Sequence, residues 1–285
     1  MDTPKEYCTG FVTSKDGTKI GYRQMGNGAG LILVHGGMQS SQSFMALGKA
    51  LANEFTVYIP DRRGRGLSGA FGTNHSLSAD AEDMQALVRQ TGARNIFGLS
   101  SGAVIALQTA LIEPGIKKIA LYEPPIVVSG VDHTKMHRAY EGALSKGNLG
   151  QALVSVIKGT GDSSMLTIIP AFITAPFLNA AIKGQQKNIK GHDVPLKDLI
   201  PTFRYDSIIV SDAKNIIDKS RSLKAEVLLL GGSTSQRFLK MALDELNAAL
   251  PKAKRFEFKG LGHTAASNGG KPGIVADELR KFFKE

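Results

Sequence analysis

Apolar runs and amphipathic windows alternate along much of this chain. Two strand-like runs, Gly10–Ser14 and Thr18–Gln24, flank Lys15-Asp16-Gly17, and Asp-Gly between such runs predicts a β-hairpin. Gly30–Val34 and Phe55–Pro60 are continuous apolar runs, the pattern of strands buried on both faces. Asn95–Gly98 and Lys118–Tyr122 read as further strands, whereas Ser41–Asn53, Ser76–Gln90 and Gly102–Ile112 carry helical spacing. In the second of these helices Ser78 is the expected N-cap, with Asp80, Glu82 and Asp83 in the first turns, where acidic side chains complement the helix dipole. Strand–helix alternation implies right-handed crossovers and a mostly parallel α/β sheet.

The alternation stops at Pro124-Pro125. Residues 126–222 read as helices and irregular apolar segments. The pattern then resumes with Ala225–Leu230 (strand), Arg237–Leu250 (helix), Arg255–Lys259 (strand) and Ile274–Phe283 (helix). The expected organisation is an α/β core of residues 1–125 and 223–285, interrupted by a helical cap over 126–222. At 285 residues the chain is long enough to bury a sizeable core without cross-links.

Composition narrows the classes. The single cysteine, Cys8, excludes an internal disulfide and a Cys-based zinc cluster. Thirty-five Lys and Arg against 25 Asp and Glu give a net charge of +10. These residues are scattered, with mild concentrations at Lys183–Lys197 and Lys252–Arg255 and no basic-aromatic module, so neither nucleic acid nor a membrane is the expected partner. The most apolar long stretch, Met165–Ile182, is broken by Pro170 and Pro176 and makes a poor membrane span. The start, MDTPKEYCTG, lacks the charged and apolar regions of a signal peptide, and the expected location is the cytoplasm.

The chemistry concentrates in three places. Gly98-Leu99-Ser100-Ser101-Gly102 lies between a predicted strand and a predicted helix. A sharp strand-to-helix turn there would project the Ser100 hydroxyl above the sheet edge, with the glycines admitting neighbouring backbone. Val34-His35-Gly36-Gly37-Met38 follows the first buried strand. The amide of Gly37 or Met38, with that of Ser101, would make a two-donor oxyanion hole, while His35 braces the loop. Gly260-Leu261-Gly262-His263 follows the last predicted strand and offers an imidazole to accept the serine proton.

With Asp61-Arg62-Arg63-Gly64-Arg65-Gly66-Leu67-Ser68, these segments resemble the α/β-hydrolase superfamily along the whole chain and in the family's order. The resemblance implies an eight-stranded, mostly parallel sheet and a helical lid inserted after strand 6. It also implies a Ser–His–acid triad needing neither metal nor cofactor, with Ser100 and His263 as its first two members. Relatives usually carry an aspartate after strand 7. Here that loop reads Gly231-Gly232-Ser233-Thr234-Ser235-Gln236, and Asp244 and Glu245 lie too far into the next helix. Glu123, in Leu121-Tyr122-Glu123-Pro124-Pro125, is the best replacement. The Ser-Ser-Gly-Ala elbow and Glu-x-Pro look similar to those of zearalenone-type lactone hydrolases, which draw their acid from the end of strand 6. A Ser–His dyad completed by water or by Thr234, or an acid elsewhere, remains open.

The implied reaction is acyl transfer from a carboxylic ester or lactone to water, by a monomer or homodimer acting on a small molecule. A ligand-binding receptor on the same scaffold, a C–C bond hydrolase and an acyltransferase are the alternatives. Met165, Phe172, Ile173, Phe177 and Leu178 either line an acyl pocket or form the cap's own core. Gly64-x-Gly66-x-x-Gly69 matches a dinucleotide fingerprint, but no helix opens on it. His133 and His137 have i,i+4 spacing without the acid of a zincin motif. Asp61 reads as a loop-bracing carboxylate near Arg62 or Arg63.

Overall fold

The computed structural model describes residues 6–127, 134–160 and 169–284. Eight strands form one sheet: β1 (Cys8–Thr13), β2 (Lys19–Met25), β3 (Ala29–Val34), β4 (Phe55–Pro60), β5 (Asn95–Leu99), β6 (Lys118–Tyr122), β7 (Glu226–Gly232) and β8 (Lys254–Phe258). Their order is β1-β2-β4-β3-β5-β6-β7-β8. The expected hairpin is β1–β2, antiparallel, with Thr13 opposite Lys19. Gly17 takes φ 84° in its turn, and the Asp16 carboxylate accepts from the Thr18 amide at 2.9 Å. From β4 to β8 all neighbours are parallel.

Period-two alternation divides the core between the two faces of the sheet. Ile32, Val34, Ile96, Ile119, Leu121 and Leu229 pack on one side, with α2 (Leu77–Thr91) and α3 (Ser101–Ile112). Leu31, Leu33, Phe97, Ala120, Tyr122, Leu228 and Leu230 pack on the other, with α1 (Met45–Leu51). Covering both faces explains why β3 to β7 read as unbroken apolar runs. The edge strand β8 has Lys254, Arg255, Phe256 and Glu257 exposed, a charged edge that discourages pairing with another sheet.

Two local expectations change. Ser41–Phe44 forms a 3₁₀ turn ahead of α1, so the expected helix over 41–53 is shorter and two-part. The N-cap of α2 is Ser76, not Ser78. Ser76 is extended (φ −158°, ψ 165°) and its hydroxyl accepts from the Ala79 amide at 3.2 Å, whereas Ser78 already lies within the helix.

The elements described between β6 and β7 are helical: α4 (Thr134–Leu144), α5 (Leu149–Thr160), α6 (Ala171–Gln185), α7 (Leu196–Leu199), α8 (Phe203–Asp212) and α9 (Ile216–Ser220), with short 3₁₀ turns. They hold a small apolar cluster of their own, built on Tyr140, Ala143, Ala152, Val156, Ile182 and Ile200, against which Met38 packs. After β7 come α10 (Arg237–Ala249) and α11 (Pro272–Lys284). Among the described residues no helix is long and apolar enough to cross a membrane.

Candidate functional site

At the carboxyl end of β5 the chain turns sharply into α3, and Ser100 sits in the turn at φ 57° and ψ −128°. A non-glycine residue there stores about 1–3 kcal/mol of strain. The Ser100 amide donates to the Tyr122 carbonyl at 2.9 Å, and its own carbonyl accepts from Ala103 at 2.8 Å. A Cβ at Gly98 would collide with the Gly102 carbonyl, and one at Gly102 with the Val34 carbonyl. Both glycines are therefore required by close backbone approach.

The loop after β3 runs beneath this elbow. A Cβ at Gly36 would come within 3.1 Å of the Ser100 Cβ. The Gly36 amide donates to Gln39 Oε1 at 2.9 Å, and Gln39 in turn donates to the Ser267 hydroxyl at 2.7 Å. Met38 takes φ 53°. His35 is fully buried, with Nδ1 3.0 Å from the Gly36 carbonyl and Nε2 accepting from the Arg62 amide at 3.3 Å. Burial, with the charges of Arg65 and Arg62, holds its pKa well below the ordinary histidine value, so His35 is a neutral brace.

Glu123 and His263 meet across 140 residues of sequence, with Oε2 2.7 Å from Nδ1. Glu123 is fully buried and takes φ 46° at the end of β6. Its amide donates to the Leu230 carbonyl at 3.0 Å, and its Oε1 accepts from the Gly232 amide at 2.6 Å. A Cβ at Gly231 would lie 3.3 Å from that oxygen, so the Gly231-Gly232 end of β7 makes room for the carboxylate. Thr234, the alternative partner, donates its hydroxyl to the Leu261 carbonyl at 2.7 Å.

Gly37, Ser100, Ser101 and His263 line one cavity of about 480 Å³. Its further walls include Pro125, Phe203, Val210, Phe238 and Leu239. Met38 is not among the lining residues; its side chain packs on the inserted helices.

The expected pocket residues lie elsewhere. Phe172, Ile173 and Phe177 on α6 are 77%, 43% and 74% exposed and do not line the cavity. The buried side of α6 carries small and aliphatic residues, Thr174, Ala175 and Ile182, and a Cβ on Gly150 of α5 would strike the Ala175 carbonyl. That close helix contact turns the bulky side chains outward. Met165 and His133 lie outside the described residues.

One group at the cavity was not foreseen. Asp206 of α8 is buried and accepts from Arg62 Nη1 at 2.7 Å, Arg65 Nη2 at 2.7 Å and the Ser101 hydroxyl at 2.8 Å. Burial disfavours its charge, but Arg65 and Arg62 outweigh that and hold its pKa at about 2. The sequence signal is a carboxylate inside an apolar stripe: Thr202, Asp206, Ile209, Ala213 and Ile216 are all buried at helical spacing. The loop arginines are paired differently from expectation. Arg62 also reaches Asp80 at 3.2 Å, and Arg63 reaches Asp83 at 2.6 Å. Asp61 braces the loop through the amides of Ser41 and Leu67, at 2.7 and 3.0 Å. Three orphan-prone guanidinium groups attract the nearby carboxylates, leaving Asp61 for the backbone.

Among the described residues no group of three or more His, Cys, Asp or Glu side chains could hold a metal ion. What the site offers is a hydroxyl on a strained turn and an imidazole paired with a buried carboxylate. Amides at a helix start and in the adjoining loop complete it, a set suited to nucleophilic catalysis at a carbonyl.

Comparison with known proteins places the chain in a family. An alpha/beta hydrolase from Sphaerobacter thermophilus DSM 20745 superposes with a TM-score of 0.76 at 27% identity, covering 96% of this chain and all of that one. An uncharacterized hydrolase of Bacillus subtilis is 28% identical over 43% of this chain and 47% of its own length. N-formylmaleamate deformylase of Pseudomonas putida is 30% identical over 48% of this chain and 51% of its own. The chain thus spans about half the length of these curated relatives. The model of the alpha/beta hydrolase fold matches residues 31–269, a span that takes in the elbow, the strand-6 acid and the late histidine, and the chain belongs to that family.

Proposed function

We propose that the protein is a serine hydrolase of carboxylic esters or lactones. Ser100 is the nucleophile, and His263 takes its proton and later returns it to the leaving group. Glu123 accepts a hydrogen bond from Nδ1–H, holds the imidazole in that tautomer and stabilises the imidazolium that forms. The oxyanion rests on the Ser101 amide and on that of Gly37 or Met38. Water then attacks the acyl-enzyme with His263 again as base, releasing the acid. The inserted helices, by walling the cavity opposite the sheet edge, serve as a cap.

The observation that carries this reading is the 2.7 Å contact between His263 Nδ1 and the buried Glu123 carboxylate. It offers the acid that the strand-7 loop lacks, and so favours turnover over a receptor role. p-Nitrophenyl butyrate hydrolysis by wild type, Ser100→Ala, His263→Ala and Glu123→Gln tests it. The expected losses in kcat are about 10⁴–10⁶-fold for the first two variants and about 10⁴-fold for the third. A fluorophosphonate should label wild type stoichiometrically at Ser100. Full activity in Glu123→Gln, or an inert Ser100, would overturn the reading.

A further inference from the structure

The charged groups at the cavity are engaged to different degrees. Glu123, at its inner end, is spent on His263 and on the Gly232 amide. Asp206, the carboxylate that lines the wall, is held by two arginines and a hydroxyl. Lys214 also lines the cavity; it is exposed, and its ammonium has no ion-pair or hydrogen-bond partner among the described residues. Lys214 is the one lysine or arginine among the described residues that line this cavity.

Its position follows from α8. Phe203, Asp206, Ser207, Val210 and Ser211 all line the cavity and share one face of that helix at i, i+3, i+4, i+7 and i+8 spacing. Asp206, Val210 and Lys214 are four apart, and Lys214 continues the row just past the end of the helix. Helix rise carries the wall roughly 12 Å from Asp206 to Lys214. Asp206 marks the inner end, hydrogen-bonded to Ser101 beside the nucleophile. Lys214 marks the outer end, with the hydroxyls of Ser207 and Ser211 on the way. The intervening wall at Val210, with Phe238 and Leu239, is apolar.

We infer that the substrate carries an anionic group, a carboxylate in the simplest case, separated from the scissile carbonyl by an apolar spacer, and that Lys214 binds that anion. This deepens the serine-hydrolase reading and rests on it for the place of the carbonyl at Ser100. A carboxylate in this position would meet the Lys214 ammonium at the exposed end of an apolar wall, a gain of the size expected for one exposed ion pair. A neutral chain of the same shape would keep the apolar contacts and lose only the ion pair.

The test compares mono-p-nitrophenyl esters of adipic and suberic acid with their ω-methyl esters, equal in chain and neutral at the far end. Wild type should show the higher kcat/KM on the acids, through KM. Lys214→Met should lower the acid-over-neutral ratio about fivefold, the upper range for one partly exposed ion pair. Lys214→Glu should invert the preference, and Lys214→Arg should retain most of it. Lys252→Met, the same charge loss after α10 and away from the cavity, should leave the ratio unchanged. A ratio that stays within twofold in both Lys214→Met and Lys214→Glu would overturn the inference while Ser100→Ala, inactive on every ester, upholds the hydrolase reading. Turnover surviving in Ser100→Ala would instead remove that reading. If no ester turns over, calorimetric titration of monomethyl adipate against dimethyl adipate gives the same decision, since only the former should bind more weakly to Lys214→Met.

Discussion

Glu123 and Asp206 are both carboxylates buried beside one cavity, the first at the end of β6 and the second on an inserted helix. Each accepts short hydrogen bonds on both oxygens, yet their partners differ in kind. Glu123 faces one backbone amide and one imidazole, Gly232 and His263. An imidazole can take a proton from a nucleophile and return it to a leaving group, so this carboxylate can stabilise the charge that forms in between. Asp206 faces two guanidiniums and a hydroxyl, none of which releases a proton under such conditions. Its oxygens are saturated by groups of fixed protonation. The sheet edge thus carries the responsive acid, and the insertion contributes one that fastens α8 to the loop after β4.

The largest separation between the two should appear in turnover. Glu123→Gln loses about 10⁴-fold in kcat through the wrong imidazole tautomer, while Asp206→Asn, assayed on the same ester, should keep kcat within about tenfold of wild type, the cost of one perturbed neighbour of Ser101. Comparable losses in both would mean that the two carboxylates do not differ in role.

Stability should rank them in the opposite order. Asp206→Ala leaves Arg62 and Arg65 buried without their shared counter-ion, a loss of about 3–5 kcal/mol in urea unfolding. The pH dependence sharpens this. A carboxylate held at about 2 against an ordinary 3.8 stabilises the folded state fully above 3.8, and that contribution disappears as pH falls through 2. The stability gap between wild type and Asp206→Asn should therefore be constant from pH 7 to about 5 and shrink steadily toward pH 2. A gap that does not narrow would show that the arginines do not hold Asp206 ionised.

Smaller effects separate the walls of the insertion. Val210→Phe should reduce kcat/KM on p-nitrophenyl octanoate about tenfold relative to the acetate, by filling space the longer chain needs. Phe172→Ser and Phe177→Ser, on the outer face of α6, should change unfolding free energy by no more than about 0.5 kcal/mol and leave the chain-length profile as it was. A shortened profile in either would return the aromatic residues to the pocket.

The legibility of the two regions differs for the same reason their chemistry does. Strands β3 to β7 are covered on both faces, so burial writes itself into the sequence as unbroken apolar runs, and the ends of β5 and β6 place Ser100 and Glu123 directly after them; His263 lies in the loop after the exposed edge strand β8. Helix α6 shows the limit of that approach. Its sequence is rich in large apolar side chains, but the buried side is the one with small residues, because close approach to α5 matters more there than apolar area. Asp206 was missed because a single aspartate on a helix reads as solvated surface until its neighbours are known. The three loop arginines, all buried, were the companion signal.

By itself the sequence determined the alternation of strands and helices, the glycine-bracketed elbow and the glycine-flanked histidine late in the chain, since each depends on local spacing and backbone sterics. Tertiary structure alone decided which carboxylate meets His263. Glu123 reaches the imidazole because β6 and β7 pair side by side and the glycines ending β7 leave space for its side chain. It also decided that an aspartate from the insertion would be neutralised by arginines from the loop after β4, with Lys214 the one lysine or arginine among the described residues lining the cavity. Those outcomes are contacts between segments up to 144 residues apart, and long-range proximity leaves no period in a sequence to be read.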